Sequence, residues 1–486
     1  MQHSKKVIMS NLVWRFMERI GAQGISFIVS IILARILAPE MYGTIALITV
    51  FLAIMQVFID SGMGNALIQK KNADDTDFTT VFYFNMTMCV ILYIILFICA
   101  PYISKFYDNP SITSVIRVIG LTLIISGVKN IQQAYISRNM LFKKFFYATL
   151  AGTLISGVIG VGMAFCGYGV WALVGQNISN SFIDTLILWT IVKWKPSGKF
   201  SLKRFKELFS YGWKLLVSSL IDTIYNNMRN LLIGKKYTSA DLAYYTQGQK
   251  IPNLVVVNIN TSIGSVLFPA MAQEQDNREL LKKHVRRSIS ISSYIMWPIM
   301  IGIAACAKSI VEILLTNKWI EAVPYLQIAC IVYGFMPIHT ANLEAIKAMG
   351  RSDIFLKMEV IKKILGVTVL VIAMPFGVKA IATSAIFTSI VSTFINAYPN
   401  RKLLNYPYIE QLKDILPSFT LALFMGISVL MLNKLNINMF LLLFLQIVVG
   451  GIVYIYGSIL FRMESFKYIL GIIKNAIGDL NRNENM

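Results

Sequence analysis

The residues best suited to chemistry in this sequence are charged and amide side chains set inside long apolar runs. Arg15, Glu18 and Arg19 recur at helical spacing in the first run and therefore share a face. Asp222, Tyr225, Asn226 and Arg229 do the same in the seventh. Gln176, Asn177, Asn180 and Asp184 form a third set, and Gln56 with Asp60, Asn253 with Asn260, and His339 with Glu344 and Lys347 form smaller ones. A charge inside hydrocarbon is costly unless it pairs or faces water, so such positions mark either a polar path or an internal bond. Guanidinium groups take phosphate with two parallel hydrogen bonds, and amides serve hydroxyl groups as both donor and acceptor. Arg15, Glu18, Arg19, Asn177, Asn180, Asp222, Asn226 and Arg229 are accordingly candidate cavity residues. Asp60, Asp184, Asp222 and Glu344 are candidates for coupling to an ion. Two plainer readings stand beside these. The arginines can snorkel to a membrane rim, and Glu344 can simply pair with Lys347 one turn away.

Other chemistry is missing from the sequence. No G-x-x-x-x-G-K-[ST] stretch exists, so no nucleotide is hydrolysed through a P-loop. Gly157, Gly160 and Gly162 fall mid-helix with no strand before them, which suits close helix packing. The five cysteines (Cys89, Cys99, Cys166, Cys306 and Cys330) lie in apolar runs without a C-x-x-C pair. His3, His284 and His339 are scattered. No metal site, cofactor or nucleophile–base pair is expected, and the chain does not read as an enzyme.

Only 14% of the 486 residues are charged and 56% are hydrophobic; soluble domains carry about 25% charged residues. The apolar runs have the length that crosses about 30 Å of hydrocarbon. About 14 spans are expected, starting near Leu12, Met41, Thr79, Ile112, Phe146, Gly169, Phe209, Lys250, Ser288, Ala322, Phe355, Gly377, Asp414 and Ile437. The first, with its internal charges, reads as a retained span rather than a cleaved signal. An even count puts both termini on one side. With that side taken as cytoplasmic, basic residues there outnumber those opposite roughly four to one, a strong positive-inside bias. The net charge of +21 follows from this distribution and implies membrane rather than nucleic acid.

The chain also repeats itself. Leu37-Ala38-Pro39-Glu40-Met41-Tyr42-Gly43 after span 1 parallels Tyr237-Thr238-Ser239-Ala240-Asp241-Leu242-Ala243 after span 7. Gly167-Tyr168-Gly169-Val170-Trp171-Ala172 parallels Pro375-Phe376-Gly377-Val378-Lys379-Ala380 more clearly. The expected fold is all-α and integral to the membrane, with two pseudo-symmetric six-helix lobes and two peripheral helices. The expected divisions are an N-lobe at 1–192, a basic amphipathic linker at 193–208, a C-lobe at 209–398, spans 13 and 14 at 399–462, and an amphipathic tail at 463–486.

Several stretches carry a family resemblance: Leu33-Ala34-Arg35-Ile36-Leu37-Ala38-Pro39-Glu40-Met41-Tyr42-Gly43, Asp60-Ser61-Gly62-Met63-Gly64-Asn65-Ala66-Leu67-Ile68-Gln69-Lys70-Lys71, Ser137-Arg138-Asn139-Met140-Leu141-Phe142-Lys143-Lys144 and Phe268-Pro269-Ala270-Met271. With them the chain resembles polysaccharide exporters of the multidrug/oligosaccharidyl-lipid/polysaccharide exporter superfamily, and within it Wzx-type flippases. The resemblance implies an alternating-access transporter in the bacterial cytoplasmic membrane. Its cargo would be an undecaprenyl-pyrophosphate-linked sugar unit, handed on to polymerase or assembly proteins. The chain would work as a monomer among membrane lipids. A drug/cation antiporter of the same superfamily is the alternative, and it would want an acidic cavity without mid-span arginines.

Overall fold

A computed structural model describes the backbone of residues 5–60, 62–70, 72–274, 277–471 and 474, while the side chains of 5–13, 15, 16, 65, 211, 262–266, 268–270, 272 and 273 lie outside the description. Every regular element among the described residues is helical. The chain divides into two compact units, Met1–Ala243 and Tyr244–Met486.

The first unit holds α1 (Lys5–Ile36), α2 (Pro39–Asp60), α3 (Met63–Gln69), α4 (Asp75–Phe106), α5 (Ser111–Ile119), α6 (Leu121–Arg138), α7 (Phe142–Phe165), α8 (Val170–Ile191) and α9 (Leu202–Lys236). α10 (Ser239–Gln273) begins in its last residues. Glycines in α7 let two neighbours approach. A Cβ at Gly157 would meet Val29 of α1 at 2.6 Å, and one at Gly160 would meet Gln176 of α8 at 2.8 Å. Gly162 has open space around it, so close packing does not explain that position. A buried aromatic cluster of Phe78, Phe82, Tyr135 and Trp194 ties α4 and α6 to the segment after α8.

The second unit continues with α11 (Arg278–Ala305), α12 (Ala307–Leu315), α13 (Val323–Gly334), α14 (Met336–Ala348), α15 (Ser352–Ala373), α16 (Val378–Leu403), α17 (Tyr408–Met431) and α18 (Met439–Leu460). Its core gathers around Trp297 of α11, against which Phe335 and Phe419 set their edges. Gly334 lies so close to that indole that a Cβ there would come within 2.4 Å of it.

Among the described residues, ten helical stretches are long and apolar enough to cross a membrane. α8, α9, α10 and α15 have the length, at 22, 35, 35 and 22 residues, but carry more polar groups. Together these stretches occupy the positions of all the expected spans. The repeated Gly-Val pairs have a structural meaning. Gly169 and Gly377 both take positive φ, 57° and 99°, immediately before α8 and α16. A side chain is strained there, so glycine recurs at the same point of each half.

The two compact units meet between Ala243 and Tyr244. Ser201 caps α9, its hydroxyl accepting from the Arg204 N–H, and no proline follows before Lys236. The helical part of the expected linker and span 7 are therefore one continuous helix. α9 packs along α2, α3 and α4 within the first unit. The end of the amphipathic tail, 472, 473 and 475–486, lies outside the described residues.

Candidate functional site

α9 carries two exposed stripes. Trp213, Val217, Ile221 and Ile224 make one that is apolar. Lys214, Ser218, Asp222 and Asn226, each four residues apart, make the other. Arg229 continues the polar stripe, half-buried, with its Nε buried and without a hydrogen-bond partner. A helix with an apolar stripe for lipid and an adjacent polar stripe needs water on the polar side, because exposed Lys and Asp are not left against hydrocarbon. Asp222, Asn226 and Arg229 are expected cavity residues, and Lys214 extends the same four-residue spacing to the start of the stripe. On α1, Glu18 is buried and Arg19 half-buried, while the Arg15 side chain lies outside the described residues. α1 packs chiefly along α7, and α9 along α2.

A second polar set joins α2, α6 and α8. Lys129 donates from Nζ to Asp184 Oδ2 at 3.0 Å, with the Asp184 side chain 6% exposed and that of Lys129 21% exposed. The next residue, Asn130, donates to Asp60 Oδ1 at 2.7 Å, and Gln56 donates to the same oxygen at 3.0 Å. Asn180 donates to the Ser156 hydroxyl at 3.2 Å, one turn before Asp184. Asn177 is exposed and donates to the Leu173 carbonyl. Asp60 and Asp184 are thus brought onto consecutive residues of α6. Lys129 was missed in the sequence, although a lone Lys between Leu121 and Arg138 in an apolar run is itself a signal.

The motif around Ser137-Arg138 is architectural. Arg138 Nη1 donates to the carbonyls of Leu67 and Lys70, both at 2.6 Å, and so closes the C-terminal end of α3. Lys144 does the same for α8 by donating to the Ile191 carbonyl at 2.9 Å. Asp74 and Asp77 form a capping box at the start of α4. Lys70 reaches Asp77 at 2.9 Å, and Arg204 reaches Asp74 at 3.1 Å. The Asp77 backbone N–H, aided by Arg204, Asp77 and Lys70, holds the Asp74 carboxyl below the usual carboxylate range.

In the second unit Glu344 pairs with Lys347 at 3.1 Å, the plainer of its two readings. His339 Nδ1 accepts from Asn396 at 2.9 Å. Asn342, Asn400 and Gln411 are fully buried and bonded to one another, Asn400 and Gln411 both donating to Asn342 Oδ1 at 2.6 and 3.1 Å. Lys282 and Arg286 of α11 engage Glu410 and Asp414 of α17 at 3.1 and 2.7 Å. Among the described residues no group of three or more His, Cys, Asp or Glu is arranged to hold a metal.

The chain is 25% identical over 306 residues to the teichuronic acid biosynthesis protein TuaB of Bacillus subtilis, a match covering 62% of each chain. It is 22% identical over 393 residues to the lipopolysaccharide biosynthesis protein WzxC of Escherichia coli, covering 80% of each. The fold is similar to that of the lipid II flippase MurJ in an inward closed conformation, with a TM-score of 0.75 at 15% identity, covering 93% of this chain and 99% of that one. An inward-facing multidrug transporter of the MATE family and MOP superfamily matches with a TM-score of 0.63 at 12% identity, over 82% of this chain and 98% of its own. Residues 32–324 match the polysaccharide biosynthesis protein family, to which this chain belongs.

Proposed function

We propose that this protein is an alternating-access transporter that moves an undecaprenyl-pyrophosphate-linked saccharide unit across the bacterial cytoplasmic membrane. The observation that carries the reading is the exposed polar stripe of α9, ending in an arginine whose buried Nε lacks a partner. Lys214 and Arg229 suit a diphosphate, and Ser218, Asp222 and Asn226 suit sugar hydroxyls. Arg15, Glu18 and Arg19 supply the matching face on α1. Asp60 and Asp184, held by Asn130 and Lys129, are the groups through which an ion would bias one state over the other. Membership in the polysaccharide biosynthesis protein family and similarity to a flippase fold support the same cargo class. All the long helices, the four polar ones included, cross the membrane in this reading. Both termini are cytoplasmic, the chain acts as a monomer, and it carries cargo without transforming it.

Similarity to a multidrug transporter fold favours a second reading, export of amphipathic cations. Lys214 and Arg229 on the exposed stripe repel such a cargo. Lipid-linked saccharide measured in cells depleted of the protein separates the two. In the flippase reading the saccharide accumulates on the cytoplasmic leaflet. An Arg229→Ala copy then restores transport about 10- to 100-fold less well, the size of one lost hydrogen bond to a charged group, about 1.5–3 kcal/mol. Absence of accumulation, with altered sensitivity to cationic drugs, would favour the antiporter.

A further inference from the structure

The stretch that joins α8 to α9 carries charge that the transport reading does not use. No acidic residue lies between Asp184 and Glu207, whereas Lys193, Lys195, Lys199, Lys203 and Lys206 all do. All five lysines are exposed. Among the described residues none of them makes an ion pair. The carboxylates nearby are mostly taken by other cations. Lys70 holds Asp77 and Glu207 at 2.9 and 3.3 Å, and Arg204 holds Asp74 at 3.1 Å. Among the described residues of this stretch, of α3 and of the first turns of α4 and α9, that leaves Asp75 as the one carboxylate without an ion pair. Five open lysines therefore stand against one open carboxylate.

The stretch that bears them is tied down. The Trp194 carbonyl accepts from Gln132 Nε2 at 3.0 Å, and the Ser201 N–H donates to Thr80 Oγ1 at 3.2 Å. Trp194 is buried among Phe78, Phe82 and Tyr135. In the first turns of α9, Phe205 and Phe209 pack inward against Phe84, and Lys203 and Lys206 fall on the other side of the helix. Two apolar residues are nonetheless left out of this packing. Phe200 and Leu202 are 44% and 60% exposed, directly beside Lys199 and Lys203. A fixed loop thus presents a pair of apolar side chains within a ring of unpaired lysines.

We infer that residues 193–206 dock onto the anionic headgroups of the adjoining membrane leaflet, the lysines over the phosphates and Phe200 and Leu202 set between them. The inference rests on α8 and α9 crossing the membrane, as in the transport reading. α8 ends at Ile191, so Lys193 and Lys195 follow at headgroup depth. The charge balance selects an anionic surface. The residue type selects a diffuse one: a single phosphate is best gripped by the paired donors of arginine, whereas separate ammonium groups on long stems suit many headgroups at once. Exposed apolar side chains among lysines are the composition that lies in the headgroup plane.

The test follows thermal unfolding of the full-length protein in detergent micelles as phosphatidylglycerol is mixed in. Phosphatidylcholine with the same acyl chains and soluble inorganic pyrophosphate are the comparison probes. Phosphatidylglycerol raises the unfolding temperature more than phosphatidylcholine does. Lys203→Gln raises the half-saturating fraction of phosphatidylglycerol about fivefold, the factor for one cation at an anionic surface. With Lys193, Lys195, Lys199, Lys203 and Lys206 all changed to Gln, the two lipids act alike. That variant unfolds at the parent temperature in phosphatidylcholine, because the lysines have no partners to lose, so its lost response is not misfolding. Phe200→Ser with Leu202→Ser weakens the response to both lipids. No cargo is present, so the outcome does not depend on whether the chain moves a saccharide. Equal stabilisation of the parent by both lipids would overturn the inference and leave the lysines to an acidic protein. A phosphatidylglycerol response that survives in the five-lysine variant would overturn it by placing the lipid elsewhere. Full stabilisation by pyrophosphate alone would replace the leaflet with a soluble anion.

Discussion

The pair Lys129–Asp184 shows why one residue can matter more than a stripe of them. Its N···O separation is 3.0 Å and Asp184 is nearly fully buried, with Oδ1 left without a partner. Removing one member of a buried pair strands the other charge, at about 3–5 kcal/mol for full burial. The 21% exposure of Lys129 reduces that here. Lys129→Met is therefore expected to lower the unfolding temperature in detergent markedly. The double variant Lys129→Met, Asp184→Asn should recover most of the loss, since no charge remains buried. A double variant as unstable as the single one would mean that the ion pair is not what joins α6 to α8. Arg229 belongs to the opposite class. Its Nε has no partner to lose, so its replacement should reduce transport while leaving stability nearly unchanged.

At the scale of elements, the turn before α2 and the turn before α10 have the same form: two residues, Leu37-Ala38 or Tyr237-Thr238, separate one long helix from the next. These turns touch. A Cβ built on Gly43 would lie 1.7 Å from the Ser239 carbonyl oxygen, a backbone atom that cannot rotate away. A small cavity of about 630 Å³, lined by Glu40, Thr44, Asn109, Ser111 and Thr238 among others, sits beside the contact. Gly43→Ala should therefore part the two turns. In a protein carrying Ala240→Cys, thiol labelling should be faster in the Gly43→Ala background and transport slower. Unchanged labelling would mean that the turns accommodate a methyl group by a shift elsewhere. The helix ends near this contact and those closed by Arg138 and Lys144 are held differently. The first relies on the absence of a side chain, the others on cations reaching carbonyls.

For the whole molecule, the distribution of basic residues predicts an orientation. Lys70, Arg138, Lys144, Arg204, Lys282, Arg286 and Arg351 fall on connections of one parity and read as cytoplasmic. A reporter fused at the C-terminus should report the cytoplasm, and one inserted at Asp108, in an opposite connection, should report the exterior. The same compartment from both positions would contradict the span parity. The structure adds that many of these cations also make specific contacts. Arg138 and Lys144 close helix ends, and Lys70, Arg204, Lys282 and Arg286 hold carboxylates across helices.

Apolar run length, turn residues and basic-residue parity are local quantities, and each of them was legible in the chain by itself. They determined that it is an all-helical membrane protein and that glycine recurs before α8 and α16, but not where each helix starts: α10 begins at Ser239 and α11 at Arg278, well before the spans expected near Lys250 and Ser288. The polar residues on α9 were legible for the same reason, because their spacing is a property of one helix. Pairing was not legible. Lys129 meets Asp184 across 55 positions of chain, and Asp60 meets Asn130 across 70. Nothing local to either residue specifies a partner so far away. Side chains of one type thus acquire different work, as helix cap, ion-pair partner or open cation, from the neighbours that tertiary packing supplies.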